Sequence, residues 1–402
     1  MAPKYLISFP FILISVAIAS IGAAFTYIFL SLVTPSPLID CTVPLLVFAA
    51  LCHACLRFSV RIGSSKNFIR AALPISLATT LFAVGIMAFP TLREAVRSHP
   101  DHASVEVLQA LRENTFQLRS MHAGQGFDDL QPLRTSLAGK RIVALGEATH
   151  GTSEFFHMKH RLVEFLVVEM GFRHFGMELS AADGRLLDDY IQGKNADPIQ
   201  VLYWPWRTQE VQDMLTWMRA YNASASPQER LAFHGIDPIY GTRDPVMAQN
   251  VTRLLKESGP ESKIALWAHN AHISNSSGWM GSFLKAEWGD VVYLLGFEFD
   301  HGAFTSRMAT IHTYSTGSAS PEFYAHALAR LDALLLYLDF RTLSQSPALR
   351  TWIETPQSSH EFQEMHAIYR LNPKWYTLHD SWSQLYDGVI FIKESTPANS
   401  VP

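Results

Sequence analysis

Glutamate and histidine residues recur where apolar stretches of this sequence end. Glu147 and His150 are separated by two residues in ALGEATHG, and His269 and His272 are separated in the same way in WAHNAHIS. Histidine titrates near neutral pH, and a nearby carboxylate fixes its tautomer and raises its basicity. These residue types at this spacing therefore predict general acid-base chemistry.

Two further stretches end in ionisable groups and extend this set. Glu178 lies in FGMEL, and His234 and Asp237 lie in LAFHGID. Ligands of open α/β sheets bind beyond the carboxyl ends of the strands, so we expect four strand ends to bring these groups to one edge. The predicted catalytic residues are Glu147, His150, Glu178, His269 and His272.

Lys159 interrupts an apolar helical stripe. It lies four residues after Phe155 in SEFFHMKHRL, and the stripe continues with Leu162 and Leu166. One interpretation is a lysine whose stem packs at the edge of the stripe. The other is an ammonium group that points toward the nearby Glu and His loop and binds a carbonyl or carboxylate. We predict that Lys159 and Asp237 bind substrate.

Strand-like and helical stretches alternate along the chain from residue 141 onward, which predicts an α/β fold with a mostly parallel sheet flanked by helices. Residues 181–230 contain no strand-like stretch and are predicted to be a helical insertion. The strand-like stretches are RIVALGE, FRHFGMELS, RLAFHGID, KIALWAHN, VVYLLGFEF, ALLLYLDF and DGVIFIKES.

The first 90 residues have a different composition. Residues 6–32, 41–58 and 71–89 are apolar and long enough to span a bilayer, so we predict three transmembrane helices. A buried core helix is the alternative for any one of them. The predicted organisation is a membrane anchor over residues 1–90, a connector over 91–130, a catalytic domain over 131–397 and a tail over 398–402.

The short joints between these apolar stretches predict an orientation. The second joint carries Arg57, Arg61, Lys66 and Arg70, whereas VTPSPLID in the first joint carries no basic residue. Cytoplasmic loops are enriched in lysine and arginine. We therefore predict an integral protein of the cell inner membrane with an extracytoplasmic, periplasmic catalytic domain and the lipid bilayer as a partner.

Charge and cysteine content exclude several functions. The first 90 residues hold five basic residues and one acid, which leaves 27 Lys and Arg against 35 Asp and Glu in the remainder. This negative balance argues against nucleic acid as a partner. Cys41, Cys52 and Cys55 all lie in the second apolar stretch, so the remainder has no thiol nucleophile or zinc-thiolate site.

Common hydrolase motifs are also absent from the sequence. It contains neither G-x-S-x-G nor H-E-x-x-H nor a phosphate-binding glycine loop, and HEFQEMH at residue 360 has the wrong spacing for two zinc ligands on one helix face. What remains is a hydrolase whose nucleophile is water, activated by histidine directly or by a bound metal.

GEATHGTSEFFHMKHRL resembles the signature of the erythromycin esterase family, and four later stretches resemble the family's later blocks in the same order. These are FGMEL, WAHNAHIS, LLGFEFDHGAF and YDGVIFIKESTP, so the resemblance covers residues 141–397. It implies an esterase that opens macrolactone rings, as in macrolide resistance, without a metal, a cofactor or a covalent intermediate. It assigns the base to His150, with Glu147 and Glu178 beside it and His269 and His272 across the site.

Two features depart from the family pattern. Lys159 matches a position where members often have arginine, which can form two parallel bonds where lysine offers one charge. The resistance enzymes that give the family its name are soluble. Because this chain is predicted to have a membrane anchor, the resemblance supports the fold and the chemistry more strongly than an antibiotic substrate.

We therefore predict a metal-independent hydrolase of a small-molecule ester or macrolactone that needs no cofactor. In this mechanism His272, His269 or Lys159 stabilises the oxyanion. Two alternatives stay open at this point. The same residues could hold a metal in a metal-dependent hydrolase or peptidase, or the chain could be a membrane-tethered binding module.

Overall fold

The computed structural model describes residues 100–194, 197–307, 311–362 and 377–401. The three predicted transmembrane helices fall on the first 90 residues and lie outside these ranges. Among the described helices, none is both long enough and apolar enough to cross a membrane. The longest, Ser153–Met170, carries charged side chains along its length. This finding contradicts the predicted inner-membrane localisation with an extracytoplasmic catalytic domain.

The described residues form eleven strands and thirteen helices, besides two short 3-10 turns. The strands are β1 (Phe116–Gln117), β2 (Ile142–Leu145), β3 (His174–Ser180), β4 (Ala232–Asp237), β5 (Ile264–Trp267), β6 (Val292–Arg307), β7 (Ile311–Thr316), β8 (Leu335–Asp339), β9 (Gln357–His360), β10 (Thr377–Asp380) and β11 (Gly388–Ser395). The helices are α1 (Val105–Asn114), α2 (Gln131–Ser136), α3 (Ser153–Met170), α4 (Ala181–Ile191), α5 (Pro198–Val201), α6 (Gln209–Ser224), α7 (Arg243–Ser258), α8 (Asn270–Ile273), α9 (Met280–Trp288), α10 (Tyr324–Ala329), α11 (Phe340–Leu343), α12 (Pro347–Glu354) and α13 (Trp382–Leu385).

Nine of the described strands form one sheet. Eight of them lie in the order β1, β8, β11, β6, β2, β5, β3, β4, and β7 pairs with the far end of β6. The pairs from β11 through β6, β2, β5 and β3 to β4 are parallel, whereas β8 runs antiparallel to β11. The remaining strands, β9 and β10, pair with each other. This topology confirms the predicted α/β fold with a mostly parallel sheet.

The central strand β2 is apolar on both faces because helices cover both. All four of its residues are buried between the parallel neighbours β5 and β6. Successive side chains of a strand point to opposite faces. Val143 and Leu145 accordingly join one core cluster, and Ile142 and Ala144 join the other.

Helix α3 packs on one face of this sheet, directly after the loop that follows β2. Phe155, Leu162 and Leu166 are buried in the same core cluster as Val143, as the stripe predicts. The helix ends at Gly171, whose φ of 73° is a left-handed conformation that glycine adopts without steric cost. Helices α4, α5 and α6 lie between β3 and β4 in the sequence.

Candidate active site

The carboxyl ends of three adjacent strands position the predicted catalytic residues. The sheet order places β2 beside β5 and β5 beside β3, and their register aligns Leu145 and Met177 with Trp267. The chain therefore leaves all three strands at one edge, which we call the carboxyl edge. The loop after β2 carries Glu147 and His150, the end of β3 carries Glu178, and the segment after β5 carries His269 and His272.

Two glycines let the loop after β2 approach its neighbours closely. A Cβ atom at Gly146 would lie 2.1 Å from Asn270 Oδ1, and one at Gly151 would lie 1.9 Å from the Thr305 carbonyl oxygen. Asn270 in turn donates to the Phe297 carbonyl and accepts from the Phe297 N–H. These contacts fix the position of the segment that carries Glu147 and His150.

Glu147 is fully buried and bonded through both carboxylate oxygens. Oε1 lies 2.7 Å from His150 Nδ1, and Oε2 accepts hydrogen bonds from Lys159 Nζ at 2.7 Å and from Trp267 Nε1 at 2.9 Å. Burial raises the pKa of Glu147, but the Lys159 ammonium and the bond with His150 outweigh burial and lower it overall. Glu147 is therefore an ionised carboxylate beside an imidazole.

His150 is the more exposed member of this pair, with 14% of its side chain accessible. Its Nδ1 faces Glu147 Oε1, so the proton lies on Nδ1 and the lone pair on Nε2. No other described residue forms a hydrogen bond with the ring. The imidazole is surrounded by the rings of His269, Trp206 and Trp204, with centroids at 4.7, 5.6 and 6.2 Å. Nε2 is thus available to accept a proton.

Lys159 contacts the pair of Glu147 and His150 from inside the protein. The side chain is fully buried, and its ammonium lies 4.4 Å from the Trp267 ring centroid and 5.7 Å from that of Phe297. Burial lowers the pKa of Lys159 to about 8, although Glu147 opposes this shift. The ammonium neutralises Glu147. Because the Lys159 side chain has no exposed surface, the predicted contact with substrate does not fit this geometry.

Glu178 connects the second half of the carboxyl edge. Its Oε1 accepts a hydrogen bond from Arg243 Nη2 at 2.8 Å and lies 3.2 Å from His272 Nε2. Its Oε2 accepts a hydrogen bond from the backbone N–H of His269 at 3.1 Å. Burial raises the pKa of Glu178, but His272 and Arg243 together hold it well below its usual value. Glu178 is therefore also ionised.

His272 lies between two carboxylates. Its Nδ1 is 2.8 Å from Asp244 Oδ1, and its Nε2 faces Glu178. Burial lowers the pKa of His272, but Glu178 and Asp244 more than offset this and raise it to about 10. His272 is thus an imidazolium at neutral pH.

Asp237 pairs with Arg243 at the same edge. Arg243 Nε donates to Asp237 Oδ1 at 3.1 Å, Nη2 donates to Oδ2, and the Ile239 N–H donates to Oδ1 at 2.8 Å. Asp237 is buried, whereas 38% of the Arg243 side chain is accessible. The group presented to solvent is therefore Arg243, and Asp237 and Glu178 hold it.

His234 does not reach the carboxyl edge, contrary to the expectation from sequence. It is the third residue of β4, and its Nε2 lies 3.1 Å from Nδ1 of His174, the first residue of β3. The parallel register sets Gly176 beside His234, so the pair lies toward the start of the strands.

Three contributors to the site have no motif in the sequence. Arg243 and Asp244 begin α7, and Glu361 follows β9 and lies 3.0 Å from His269 Nδ1. The stretch HEFQEMH contains Glu361. In the sequence its one recognisable feature is a spacing that does not fit two zinc ligands, and this feature does not indicate the contact with His269. In the described ranges, no group of three or more His, Cys, Asp or Glu residues is arranged to hold a metal ion.

Comparison with known proteins identifies similar sequences. The sequence profile of the erythromycin esterase family matches residues 167–242 and 238–395. A stretch of 121 residues is 34% identical to the erythromycin esterase type II of Escherichia coli, and covers 29% of this chain and 28% of that protein. Another stretch, of 103 residues, is 30% identical to the putative hydrolase YbfO of Bacillus subtilis strain 168, and covers 25% of this chain and 23% of that protein. The chain thus aligns with less than a third of either relative.

Solved structures share the fold at low sequence identity. A succinoglycan biosynthesis protein matches with a TM-score of 0.63 at 21% identity, over 74% of this chain and 98% of its own. A Bacillus cereus protein matches with a TM-score of 0.64 at 18% identity, over 74% and 99%. A mutant of the erythromycin esterase EreC in its open conformation matches with a TM-score of 0.57 at 13% identity, over 72% and 99%.

Proposed function

The chain belongs to the erythromycin esterase family, and on that premise we propose that it hydrolyses a carboxylic ester or a macrolactone. In this proposal His150 deprotonates the water molecule that attacks the ester carbonyl. The observation that carries it is the 2.7 Å contact between His150 Nδ1 and Glu147 Oε1, which leaves Nε2 open on the exposed side. A base of this kind needs a lone pair, a fixed tautomer and access to water.

Glu147 performs two tasks in this mechanism. Before reaction it accepts a hydrogen bond from the Nδ1–H of His150 and so directs the Nε2 lone pair outward. When Nε2 takes a proton from water, the imidazole becomes positively charged, and the ionised Glu147 stabilises that charge. Both tasks require Glu147 to remain a carboxylate although it is buried.

Lys159 is a positioning residue in this proposal, since it acts through Glu147. Its ammonium donates to Glu147 Oε2, and Trp267 Nε1 donates to the same oxygen. A buried carboxylate without a cation would be strongly disfavoured. Lys159 thereby keeps Glu147 charged and leaves Oε1 to bind His150.

Arg243 is the cation we assign to the ester oxygen, where negative charge develops in the transition state. Its guanidinium is partly exposed, is held by Glu178 and Asp237, and forms no hydrogen bond through Nη1 with a described residue. His272 and His269 each face acceptors through both ring nitrogens, so they contribute positive charge and not free donors.

The proposal includes no metal ion. Both oxygens of Glu147 already accept from protein donors, and the Lys159 ammonium 2.7 Å from Oε2 would repel a second cation. Glu178 is likewise bonded to Arg243 and His272. These pairings support histidine as the activator of water.

The proposal is tested by incubating the purified protein with a panel of simple esters, lactones and macrolactones, with and without EDTA, and following the products by mass spectrometry. We expect at least one lactone to yield a product heavier by one water, or at least one ester to yield its acid and alcohol, at a rate that the chelator leaves unchanged. A panel without any hydrolysed member would contradict the esterase assignment. Activity lost with EDTA and restored by a divalent metal would contradict the metal-free mechanism.

A further inference from the structure

The segment of residues 360–362 is fixed on both sides of Glu361. The His360 N–H donates to Glu298 Oε2 at 2.9 Å, and His360 Nδ1 lies 2.7 Å from Glu298 Oε1. The Phe362 N–H donates to the Ala148 carbonyl at 2.8 Å, next to Glu147. Glu361 is therefore held against the loop of the proposed base, although it is more than 200 residues away in the sequence.

The Glu361 side chain reaches His269. Its Oε1 lies 3.0 Å from His269 Nδ1, and only 13% of the side chain is accessible. Oε1 itself is buried and accepts no regular hydrogen bond from any residue in the described part of the chain. Without a regular donor, a buried carboxylate oxygen needs a positive partner, and His269 is the group in contact with it.

Both ring nitrogens of His269 face acceptors. Nδ1 faces Glu361, and Nε2 lies 3.2 Å from the Phe362 carbonyl oxygen. The backbone N–H of Ala271 donates to Nδ1 at 3.4 Å, a longer contact that protonation of Nδ1 would replace with the closer one to the carboxylate. A neutral imidazole has one N–H, whereas two acceptors require two. The arrangement therefore fits an imidazolium.

We propose that Glu361 is a positioning residue that holds His269 as an imidazolium beside His150. The two rings are 4.7 Å apart, so a fixed positive charge would lie next to the base and close to the negative charge that develops on the ester oxygen. This role rests on the proposed esterase function. It gives Glu361, the second residue of the stretch HEFQEMH, a role that needs no metal ion.

Other charged groups also face His269 and enter its titration. Glu361 lies after β9, Glu178 comes from β3, and Glu147 and His150 come from the loop after β2. Burial lowers the pKa of His269, but Glu361 foremost, followed by Glu147 and Glu178, raises it above its usual value. Removing Glu361 alone should thus produce the largest change.

The experiment is an NMR titration of the full-length protein with isotopically labelled histidine, in which the His269 signal is assigned from its loss in His269→Asn. We expect the wild-type midpoint to lie above the ordinary value of about 6.5. In Glu361→Gln it should fall by about 1 to 3 pH units, the usual effect of an adjacent opposite charge. Glu354→Gln, at an exposed position of α12, is the matched control and should leave the midpoint unchanged.

A wild-type midpoint at or below the ordinary value overturns the proposal, and this reading does not depend on any Glu361 variant folding. A folded Glu361→Gln protein with the wild-type midpoint overturns it as well. Because the titration needs no substrate, its result is independent of the ester panel. A shifted midpoint without ester hydrolysis would contradict the esterase function and support the pairing of Glu361 with His269. Hydrolysis without a shifted midpoint would support the esterase function and contradict the pairing.

Discussion

Two pairs of histidine rings lie at opposite ends of the parallel strands. At the carboxyl edge, the rings of His150 and His269 have centroids 4.7 Å apart, and toward the start of β3 and β4 those of His174 and His234 are 5.3 Å apart. The pairs are similar in residue type and spacing, yet their surroundings differ.

Each ring at the carboxyl edge faces a carboxylate, whereas the other two bond to each other. His150 faces Glu147 and His269 faces Glu361. Burial lowers the pKa of both His174 and His234, the latter to about 4, so that pair is neutral. Carboxylates beside the rings, and not the proximity of two histidines, therefore distinguish the proposed active site from the contact between His174 and His234.

The largest expected effect separates the two pairs by activity. His150→Asn should lower the rate of ester hydrolysis by about 10² to 10⁴, the usual cost of losing a general base, while the thermal stability stays near wild type because the ring is partly exposed. His234→Asn is the matched control and should retain the wild-type rate. Rates of both variants on one substrate provide the measurement. Equal rates for the two variants would remove the distinction between the pairs.

The next effect concerns the lysine that neutralises Glu147. Lys159→Met should destabilise the protein by about 3 to 5 kcal/mol, since it leaves a buried carboxylate without its cation. Lys256→Met removes an exposed pair with Glu287 and should cost less than about 1 kcal/mol. Urea unfolding of both variants measures the difference, and similar values would contradict the assignment.

A third prediction uses the raised pKa of His272, about 10. Between pH 6.5 and pH 9 the folded protein retains a proton that the unfolded chain loses, so stability falls as pH rises. We expect this fall to be smaller in His272→Asn, by an amount on the order of 2 kcal/mol. Unfolding free energies at the two pH values give the result. Parallel pH dependences in variant and wild type would show that His272 is not cationic in the fold.

The smallest predicted effect has the opposite pH dependence and belongs to the neutral pair. The folded pKa of His234 lies below that of free histidine, so the unfolded chain binds the extra proton as pH falls from 6.5 to 5. The wild type should therefore lose stability on acidification, and His234→Asn should reduce that loss by on the order of 1 kcal/mol. An unchanged loss would mean that His234 binds its proton as readily in the folded protein as in the unfolded chain.

The local parts of the site could be predicted from sequence because they depend on short spacings. Glu147 and His150 share one loop, and the uninterrupted apolar residues of β2 indicate a strand buried on both faces. Lys159 was visible as a cation in an apolar stripe. Its partner was not identified, since the direction of one ammonium group depends on the packing of Trp267 and Phe297.

Contacts between distant segments could not be predicted in this way. Glu361 reaches His269 only because Phe362 forms a bridge with Thr149, and no periodicity in the sequence encodes that contact. The pairing of His174 with His234 depends on the register between β3 and β4, which an apolar pattern does not specify. Without that register, the sequence predicts His234 at the carboxyl edge.

The most direct test of the central claim is a single-turnover reaction in water enriched in ¹⁸O, with enzyme in excess over an ester that the panel identifies. Attack by water activated at His150 cleaves the acyl–oxygen bond, releases the alcohol and leaves one solvent oxygen on the acid. We predict that the acid from the first turnover carries one ¹⁸O atom. An unlabelled first-turnover acid would contradict the account. The acid would then have kept both ester oxygens after cleavage of the alkyl–oxygen bond, or would have received an oxygen from an enzyme carboxylate, such as Glu147 or Glu178, acting as the nucleophile.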